Sequence, residues 1–370
     1  MPRQSSSNAI LAGATFFRVS DIPIIARKPV LGPITHWFAH AVMLASASLI
    51  TLWMVGAIYY DVCQGAKAGR LIAVGWAIGV IFLFAAWPPL WQPFVALLCV
   101  TALFTVWWVR QKPSHNRDLD PSVAVLPRVV REGDRITIEN VRNFEYRSLD
   151  DFTPCYESRT FRLANLQCLD IVFFNWGSPG MSHPVMVFDF GPDGRICVSI
   201  EVRYRQGQKY SILRSFYRQK ELIFVVADER DVILRRTKYG EKQAARLYHL
   251  NVGPLELRTV FLDYITEINS LFETPRWYHG LCANCTTTHY RLPHSRFRRD
   301  WRVIANARLD RALYDDGRLD QMLPFAELSR LAYLNDIAIH APKDGFGDHI
   351  RRELERLRHE RRRNLAVEGT

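Results

Sequence analysis

The sequence has no internal repeat and no glycine-rich loop of the kind that cradles a nucleotide phosphate. It also lacks arginine-rich stretches with interleaved aromatic residues, although its formal net charge at pH 7 is +11. These absences argue against the nucleotide-binding and nucleic-acid-binding classes, and we expect no nucleic-acid partner. No cofactor motif is present either, so we predict neither a cofactor nor a metal site.

Charged side chains are missing from residues 37–60, and a second apolar segment covers most of residues 71–109. A membrane-spanning helix needs about 20 apolar residues, so the second segment is long enough for two spans. Three prolines and two tryptophans at residues 87–93 mark the break, because paired prolines stop a helix and tryptophan prefers the bilayer interface. We therefore predict three transmembrane helices, near residues 37–59, 70–88 and 92–109.

The charges that flank these spans give a mixed signal for orientation. Four basic residues precede the first span, with only Asp21 opposing them: Arg3, Arg18, Arg27 and Lys28. The positive-inside rule then puts the N-terminus in the cytoplasm and, after three spans, the rest of the chain on the opposite side. Arg110, Lys112 and Arg117 follow the last span and favour the reverse. A count of two spans would also reverse the orientation.

The chain after the spans is long enough for one or two compact domains. Alternating β-branched and aromatic residues predict strands at residues 135–146, 169–175, 185–190, 196–204 and 221–227. Helices are expected at residues 253–271, from about Asn284 and beyond Trp301. The fold class is therefore α+β, with the transmembrane helices followed by an antiparallel sheet and by a helix that carries Cys285. We divide the chain into a cytoplasmic segment (1–35), a transmembrane region (36–110), a β-rich domain (120–300) and a helical basic extension (301–370).

A reactive thiol is predicted at Cys285, which directly follows Asn284. Asparagine is among the best N-cap residues, so we expect Asn284 to cap a helix whose first residue is Cys285. The helix dipole and free backbone N–H groups at this position favour the thiolate, and the same N–H groups can hold an oxyanion. The alternative is a buried, inert cysteine.

A thiol nucleophile needs a base within hydrogen-bond reach, and His183 is our candidate. It lies where a loop of glycine, serine and proline meets the next strand, a place where functional side chains are often exposed. His289, four residues after Cys285, and His279 are rival bases, and His183 is alternatively a plain surface histidine.

Glu201 and Arg203 lie on the more polar face of the strand that follows the His183 strand. We predict that Glu201 orients the imidazole as a third catalytic residue, with a Glu201–Arg203 ion pair as the alternative. Arg203 is a candidate for holding a phosphate or carboxylate of the substrate, since its planar guanidinium suits both. Glu229 and Arg230 are interpreted as turn-stabilising charges.

The other cysteines leave further possibilities open. Cys282 and Cys285, with His289 and His294, form a C-x2-C-x3-H-x4-H string. The gap between the two pairs is much shorter than in a zinc finger, and no parallel βαβ pattern precedes the string as a redox pair would require. Cys155 and Cys168 are candidates for a disulfide, although nothing in the sequence demands it.

Five short motifs in a fixed order resemble one known family. They are Ser182-His183, residues 199–203, residues 217–223, residues 227–231 and Asn284-Cys285-Thr286-Thr287. Over about residues 135–298 they resemble the domain of unknown function 4105, also described as the Lnb N-terminal periplasmic domain. The resemblance implies a permuted papain-like, NlpC/P60-related thiol enzyme in which histidine precedes cysteine. It makes Cys285 the nucleophile and His183 the base, although Pro184 departs from the usual small or β-branched residue.

Members of this family are implied to be bacterial lipoprotein N-acyltransferases. We therefore expect a multi-pass protein of the bacterial inner membrane whose catalytic domain faces the periplasm. It would act through an acyl-Cys285 thioester on a membrane phospholipid or lipoprotein, with Asn284 and Arg203 beside the substrate. The alternatives are a cysteine peptidase or amidase acting on cell-wall or envelope peptides, and a catalytically silent scaffold. The basic segment 348–364 either docks on the domain through three aliphatic residues or contacts anionic head groups of the bilayer.

Overall fold

The computed structural model describes residues 33–175, 182–208, 211–240, 243–280, 283–284, 287–289, 292 and 309–368. Three helices open this part of the chain: α1 (Pro33–Ala57), α2 (Lys67–Ala86) and α3 (Trp91–Arg110). A π-helical turn, Ile58–Val62, extends α1. All three helices are long and apolar enough to cross a membrane, as predicted. Large side chains such as Leu71 (78% exposed) point away from the protein, as lipid-facing residues do.

The remainder is built on a mixed eight-stranded sheet, which agrees with the predicted α+β class. Its strands are β1 (Arg128–Glu132), β2 (Arg135–Arg142), β5 (Tyr156–Arg162), β6 (Cys168–Asn175), β7 (Ser182–Asp189), β8 (Arg195–Arg203), β9 (Glu221–Ala227) and β10 (Ala244–His249). They lie in the order β1-β2-β9-β8-β7-β6-β10, with β5 also paired to β2. A two-stranded ribbon is formed by β3 (Glu145–Tyr146) and β4 (Phe152–Thr153). The β2–β9 contact is parallel, and the other pairings between these strands are antiparallel. The sheet is therefore mixed and not wholly antiparallel as predicted, because the segment between β2 and β9 brings the two strands side by side in the same direction.

Helices follow and cover the sheet: α4 (Glu229–Thr237), α5 (Pro254–Glu273), α6 (Leu309–Asp315), α7 (Phe325–Leu331), α8 (Asn335–His340) and α9 (Phe346–Glu368). One core lies between the sheet and α5, α6 and α7. A second core lies on the other face, against α4, α8 and α9. Because both faces are covered, the β8 face that we expected to be the more polar one is also buried. Ser199 on that face is only 1% exposed.

The residues after β9 do not form the turn that their charges suggested. The side chain of Asp228 accepts a hydrogen bond from the Arg230 backbone N–H at 2.9 Å, which caps the start of α4. Glu229 is buried and forms an ion pair with Arg351 of α9 at 2.9 Å. The interpretation of Glu229 as a turn-stabilising charge was therefore wrong, because its carboxylate joins two helices.

The last helix, α9, docks on the domain as one of the two readings of the basic segment proposed. Ile350 and Leu354 are 0% and 1% exposed and belong to the second core. Arg361 forms an ion pair with Glu327 of α7 at 2.6 Å, and Arg362 forms one with Asp320. These two arginines form ion pairs within the protein. They therefore give no support to the alternative in which the basic segment contacts anionic lipid head groups.

Five cysteines fall in the described part of the chain, and all of them are free: Cys63, Cys99, Cys155, Cys168 and Cys197. The disulfide considered between Cys155 and Cys168 is therefore not formed. Cys282, Cys285 and His294 lie outside the described residues.

Candidate functional site

His183 is the second residue of β7, where the strand is paired on one side only. Its neighbour Pro184 pairs with Phe173 of β6, whereas pairing between β7 and β8 starts at Val185. Proline has no backbone N–H to donate and is tolerated where a strand begins. The structure thus confirms the predicted position of His183 at a strand start.

The His183 imidazole is buried, and its Nε2 atom faces two side chains of β8. The Ser199 Oγ atom is 2.8 Å from Nε2, and the Glu201 Oε1 atom is 3.2 Å away. The single hydroxyl hydrogen of Ser199 is donated to Glu201 at 2.6 Å. Ser199 must then accept from the imidazole, so Nε2 carries the proton in the neutral ring. In this tautomer the lone pair is on Nδ1, which is the nitrogen that can act as a base.

Arg236 of α4 completes this cluster and was not predicted. Its guanidinium is 7% exposed in the side chain, forms an ion pair with Glu201 and lies 4.9 Å from the ring centre of Phe174. Its Nη2 atom is also 3.3 Å from Nε2 of His183, farther than the Ser199 oxygen. Burial by itself raises the pKa of Glu201, but the charges of Arg236 and His183 outweigh it and hold that pKa well below 4.5. Glu201 is therefore an ionised carboxylate that can stabilise an imidazolium.

Asn284 caps the helical residues that follow it, as predicted. Its Oδ1 atom accepts a hydrogen bond from the Thr287 backbone N–H at 2.7 Å, and the Thr287 hydroxyl accepts one from the Asn284 N–H at 3.0 Å. This reciprocal pair has the pattern of a capping box. The predicted nucleophile, Cys285, lies inside this turn in the sequence but outside the described residues. Because its side-chain oxygen serves the cap, Asn284 is a positioning residue in the described contacts.

His289 approaches the start of β7 from the α5 side of the sheet. It is buried, and its Nδ1 atom is hydrogen-bonded to the hydroxyl of Tyr264. Burial and, to a smaller extent, the nearby charge of His183 lower the pKa of His289 to about 3, although the Pro184 backbone opposes the shift. A base with so low a pKa is weak near neutral pH. His279 is partly buried, which lowers its pKa, and its ring lies 6.0 Å from that of Phe216. His183, by contrast, has the Glu201 carboxylate 3.2 Å from its imidazole.

Arg203 has a set of internal partners. It donates to the backbone oxygens of Val123 and Ala124 and lies 3.5 Å from Glu221, and the whole residue is 4% exposed. The alternative Glu201–Arg203 ion pair is replaced by pairs to Arg236 and Glu221. These contacts anchor the segment before β1 and lend no support to the prediction that Arg203 holds a substrate anion.

The Asn284 turn is connected by hydrogen bonds to the loop before β9. The Asn284 Nδ2 atom donates to the Gly280 backbone oxygen at 2.7 Å, and the Gly280 N–H donates to the Ser215 oxygen at 2.8 Å. Lys220 is buried beside them, with Nζ 3.3 Å from the Ser215 hydroxyl. Burial and, to a smaller extent, the charge of Arg214 lower the pKa of Lys220 to about 8.

The same loop contacts the ends of the apolar helices. Gln219 donates through Nε2 to the Asp61 carboxylate and to the Tyr60 backbone oxygen, both at 2.8 Å. The Trp108 indole of α3 donates to the other Asp61 oxygen at 2.6 Å, and the Arg218 guanidinium lies 4.3 Å from a Trp108 ring centre. The loop thus joins the Asn284 turn to the apolar helices.

Residues 152–307 match the family model of the Lnb N-terminal periplasmic domain. The match supports the resemblance that the five motifs indicated, and it includes His183, Glu201 and Cys285. It covers less than half of the chain and leaves out the three apolar helices and helices α6 to α9. Because the three apolar helices precede it, the Lnb-like region fits a membrane-anchored protein with a periplasmic domain. No curated protein and no solved structure matches the chain.

Proposed function

We propose that the protein is a thiol acyltransferase that takes an acyl chain from a membrane lipid onto Cys285 and passes it to a lipoprotein amine. The observation that carries the proposal is the buried His183 imidazole, which Ser199 and ionised Glu201 hold through Nε2. This arrangement leaves Nδ1 as the basic nitrogen, which is what a cysteine nucleophile requires. The order of histidine before cysteine agrees with the permuted papain-like arrangement that the family resemblance implies.

In the first half-reaction His183 Nδ1 takes the Cys285 proton, and the thiolate attacks the ester carbonyl of a phospholipid. A carbon–sulfur bond forms, the ester carbon–oxygen bond breaks, and the imidazolium returns its proton to the leaving alkoxide. Glu201 stabilises the imidazolium between these two proton transfers. The helix N-terminus that Asn284 caps supplies N–H groups for the tetrahedral oxyanion.

In the second half-reaction an amine attacks the thioester. The carbon–nitrogen bond forms, the carbon–sulfur bond breaks, and the proton released by the amine passes through His183 back to the Cys285 sulfur. The attacking amine must be in its neutral form. We also expect the site to exclude water during the lifetime of the thioester, because water would otherwise hydrolyse it.

Membrane attachment supports a lipid substrate rather than a soluble one. We propose that α1, α2 and α3 all span the bacterial inner membrane, with the N-terminus in the cytoplasm and the Lnb-like region in the periplasm. The path from Asn284 through Gly280 and Ser215 to the loop that binds Asp61 connects the Asn284 turn to the ends of the apolar helices, which supports a site close to the membrane. A lipid could then enter the site without leaving the bilayer.

The test uses the full-length protein in liposomes that contain a phospholipid with a fluorescent acyl chain. We expect an acid-stable, hydroxylamine-sensitive label on Cys285, detected by mass spectrometry. On addition of a diacylated lipopeptide with a free amino terminus, the label should move to the amine. His183→Gln should slow the labelling about 10²- to 10⁴-fold, the usual contribution of a general base.

The matched control is Cys155→Ser, which removes an exposed thiol that the proposal does not use and should label normally. Equal labelling of wild type and Cys285→Ser would remove Cys285 from the mechanism. Release of free fatty acid without transfer to the amine would instead favour the hydrolase alternative and overturn the transferase assignment.

A further inference from the structure

A second group of chemically reactive side chains lies at the edge of the sheet, on β6 and β10. Cys168 and Asp170 are two residues apart on one strand, so they share a face, and His249 pairs directly with Asp170 across the two strands. One ligand-type atom from each of the three lies within 4.8 Å of the others. A thiol, a carboxylate and an imidazole are thus gathered on two hydrogen-bonded strands, which restrict their positions.

The Asp170 carboxylate is held in a fixed orientation. The Arg351 guanidinium of α9 donates to its Oδ2 atom through Nε at 2.9 Å and through Nη2 at 2.6 Å. The Oδ1 atom faces His249 Nδ1 at 2.8 Å. One carboxylate oxygen therefore belongs to the protein framework and the other to the cluster. Arginine or backbone partners of this kind orient ligating carboxylates in metal sites.

The cluster borders an open cavity of about 660 Å³ between β10, α7 and α9. All three side chains line it, together with Leu247, Met322 and Leu354. The buried Asp170 forms its base, whereas 54% of the His249 side chain remains exposed. An ion held by the three side chains would thus keep a coordination position directed at the cavity.

We propose that Cys168, Asp170 and His249 bind a divalent transition-metal cation, with Zn²⁺ the best match to the donor set. Three protein ligands and one open position are the usual composition of zinc sites that bind a water molecule or a small ligand. A soft thiolate beside an imidazole selects against Mg²⁺ and Ca²⁺, which prefer oxygen donors. The site is separate from His183 and does not depend on the proposed acyl transfer.

Without an ion the three groups form a hydrogen-bonded set in which Asp170 and then Cys168 raise the pKa of His249 to about 10. A cation must displace the proton on the imidazole and the one on the thiol, so binding releases protons. The alternative to a metal site is therefore an Asp170–His249 ion pair that binds no metal, and the experiment below distinguishes the two.

The test is titration of the chelator-treated, reduced full-length protein in detergent with Co²⁺, which reports thiolate ligation through a charge-transfer absorption band. We expect one equivalent with a thiolate band, displaced by Zn²⁺, and loss of the band in Cys168→Ser. His249→Ala should weaken binding about 10-fold or more. Cys155→Ser, which removes an exposed thiol without this environment, should bind Co²⁺ as the wild type does.

A second readout covers the case in which Cys168→Ser fails to fold. In the wild-type protein, Zn²⁺ should protect Cys168 from alkylation while Cys155 reacts at an unchanged rate. Absence of a thiolate band in the wild type would overturn the site, as would equal alkylation of Cys168 with and without Zn²⁺. A band that persists in Cys168→Ser but is lost in Cys282→Ser would assign the metal to the other cysteine-rich string.

Discussion

Replacement of Glu201 by Gln removes the only charge that the described contacts place between Arg236 and His183. Removal of one partner from a buried ion pair costs about 3–5 kcal/mol, because the other charge remains buried. The Glu201 side chain is 22% exposed, and glutamine can still accept a hydrogen bond, so we expect a smaller loss of about 2–3 kcal/mol. For a domain of about 150–250 residues this corresponds to a melting temperature lowered by about 4–12 °C.

The stabilisation that Glu201 provides should depend on pH in a defined direction. The folded-state pKa of Glu201 lies well below its ordinary value of 4.5, because Arg236 and His183 favour the carboxylate despite burial. The stabilisation is therefore complete above about pH 4.5 and is lost as the pH falls through the folded-state pKa. Thermal unfolding of the full-length protein in detergent should show a constant gap between wild type and Glu201→Gln from pH 6 to pH 8. The gap should narrow below pH 4.5.

The control for this measurement is Glu139→Gln, since Glu139 forms a surface pair with Arg128 at 4.0 Å and should leave the melting temperature unchanged. The double variant Glu201→Gln/Arg236→Gln should be less destabilised than the sum of the two single variants, because it leaves no unpaired buried cation. A gap that does not narrow at low pH would refute the reasoning, and so would additive single and double effects.

Two further predictions concern the membrane end and the orientation. A Cβ atom added at Gly56 of α1 would overlap the Tyr217 side chain. We therefore expect Gly56→Ala to loosen the contact between the apolar helices and the domain and to speed limited proteolysis between them. Addition of Tyr217→Ala to this variant should restore resistance to the protease. If proteolysis is unchanged in Gly56→Ala, the packing at this contact is not what holds the domain on the spans. Cys155 is exposed, so an impermeant maleimide should label it in intact spheroplasts when the domain faces the periplasm, with Cys155→Ser as the control. Labelling of Cys155 only after lysis would contradict the proposed orientation.

The features predicted well from sequence were those set by local pattern. Uncharged runs of about 20 residues predicted the three apolar helices, since few other structures tolerate them. Alternation predicted β7 and β8, and capping preference predicted that Asn284 caps the residues that follow it. The segment 228–231 was misread because a charged cluster that closes a turn and one that begins a helix have the same composition. Asp228 is the N-cap residue of α4, a pattern that the spacing also permitted.

Local sequence pattern does not identify side chains that contact each other from distant parts of the chain. Ser199 could have been found, because it lies two residues before Glu201 on the same face of β8. Arg236 could not, since it is 35 residues away from Glu201 and reaches it only through the packing of α4 on the sheet. The same holds for Cys168, Asp170 and His249, where 79 residues separate the carboxylate from the imidazole. In both clusters the contacts between side chains depend on strand register and helix packing, which cannot be read from short stretches of sequence.

The connection between the spans and the site bears on what substrate the protein selects. Asp61 accepts hydrogen bonds from Trp108 of α3 and from Gln219 of the soluble domain, so a carboxylate at the end of the first span is shared by both parts. The loop that carries Gln219 also contains Ser215, which is bonded to Gly280 and through it to Asn284. Any displacement of the apolar helices relative to the domain would therefore shift the turn that Asn284 caps. If the apolar helices lie in the bilayer as we propose, a lipid could reach this turn without leaving the membrane, and for that reason the proposed thiol chemistry names a lipid acyl donor rather than a soluble peptide.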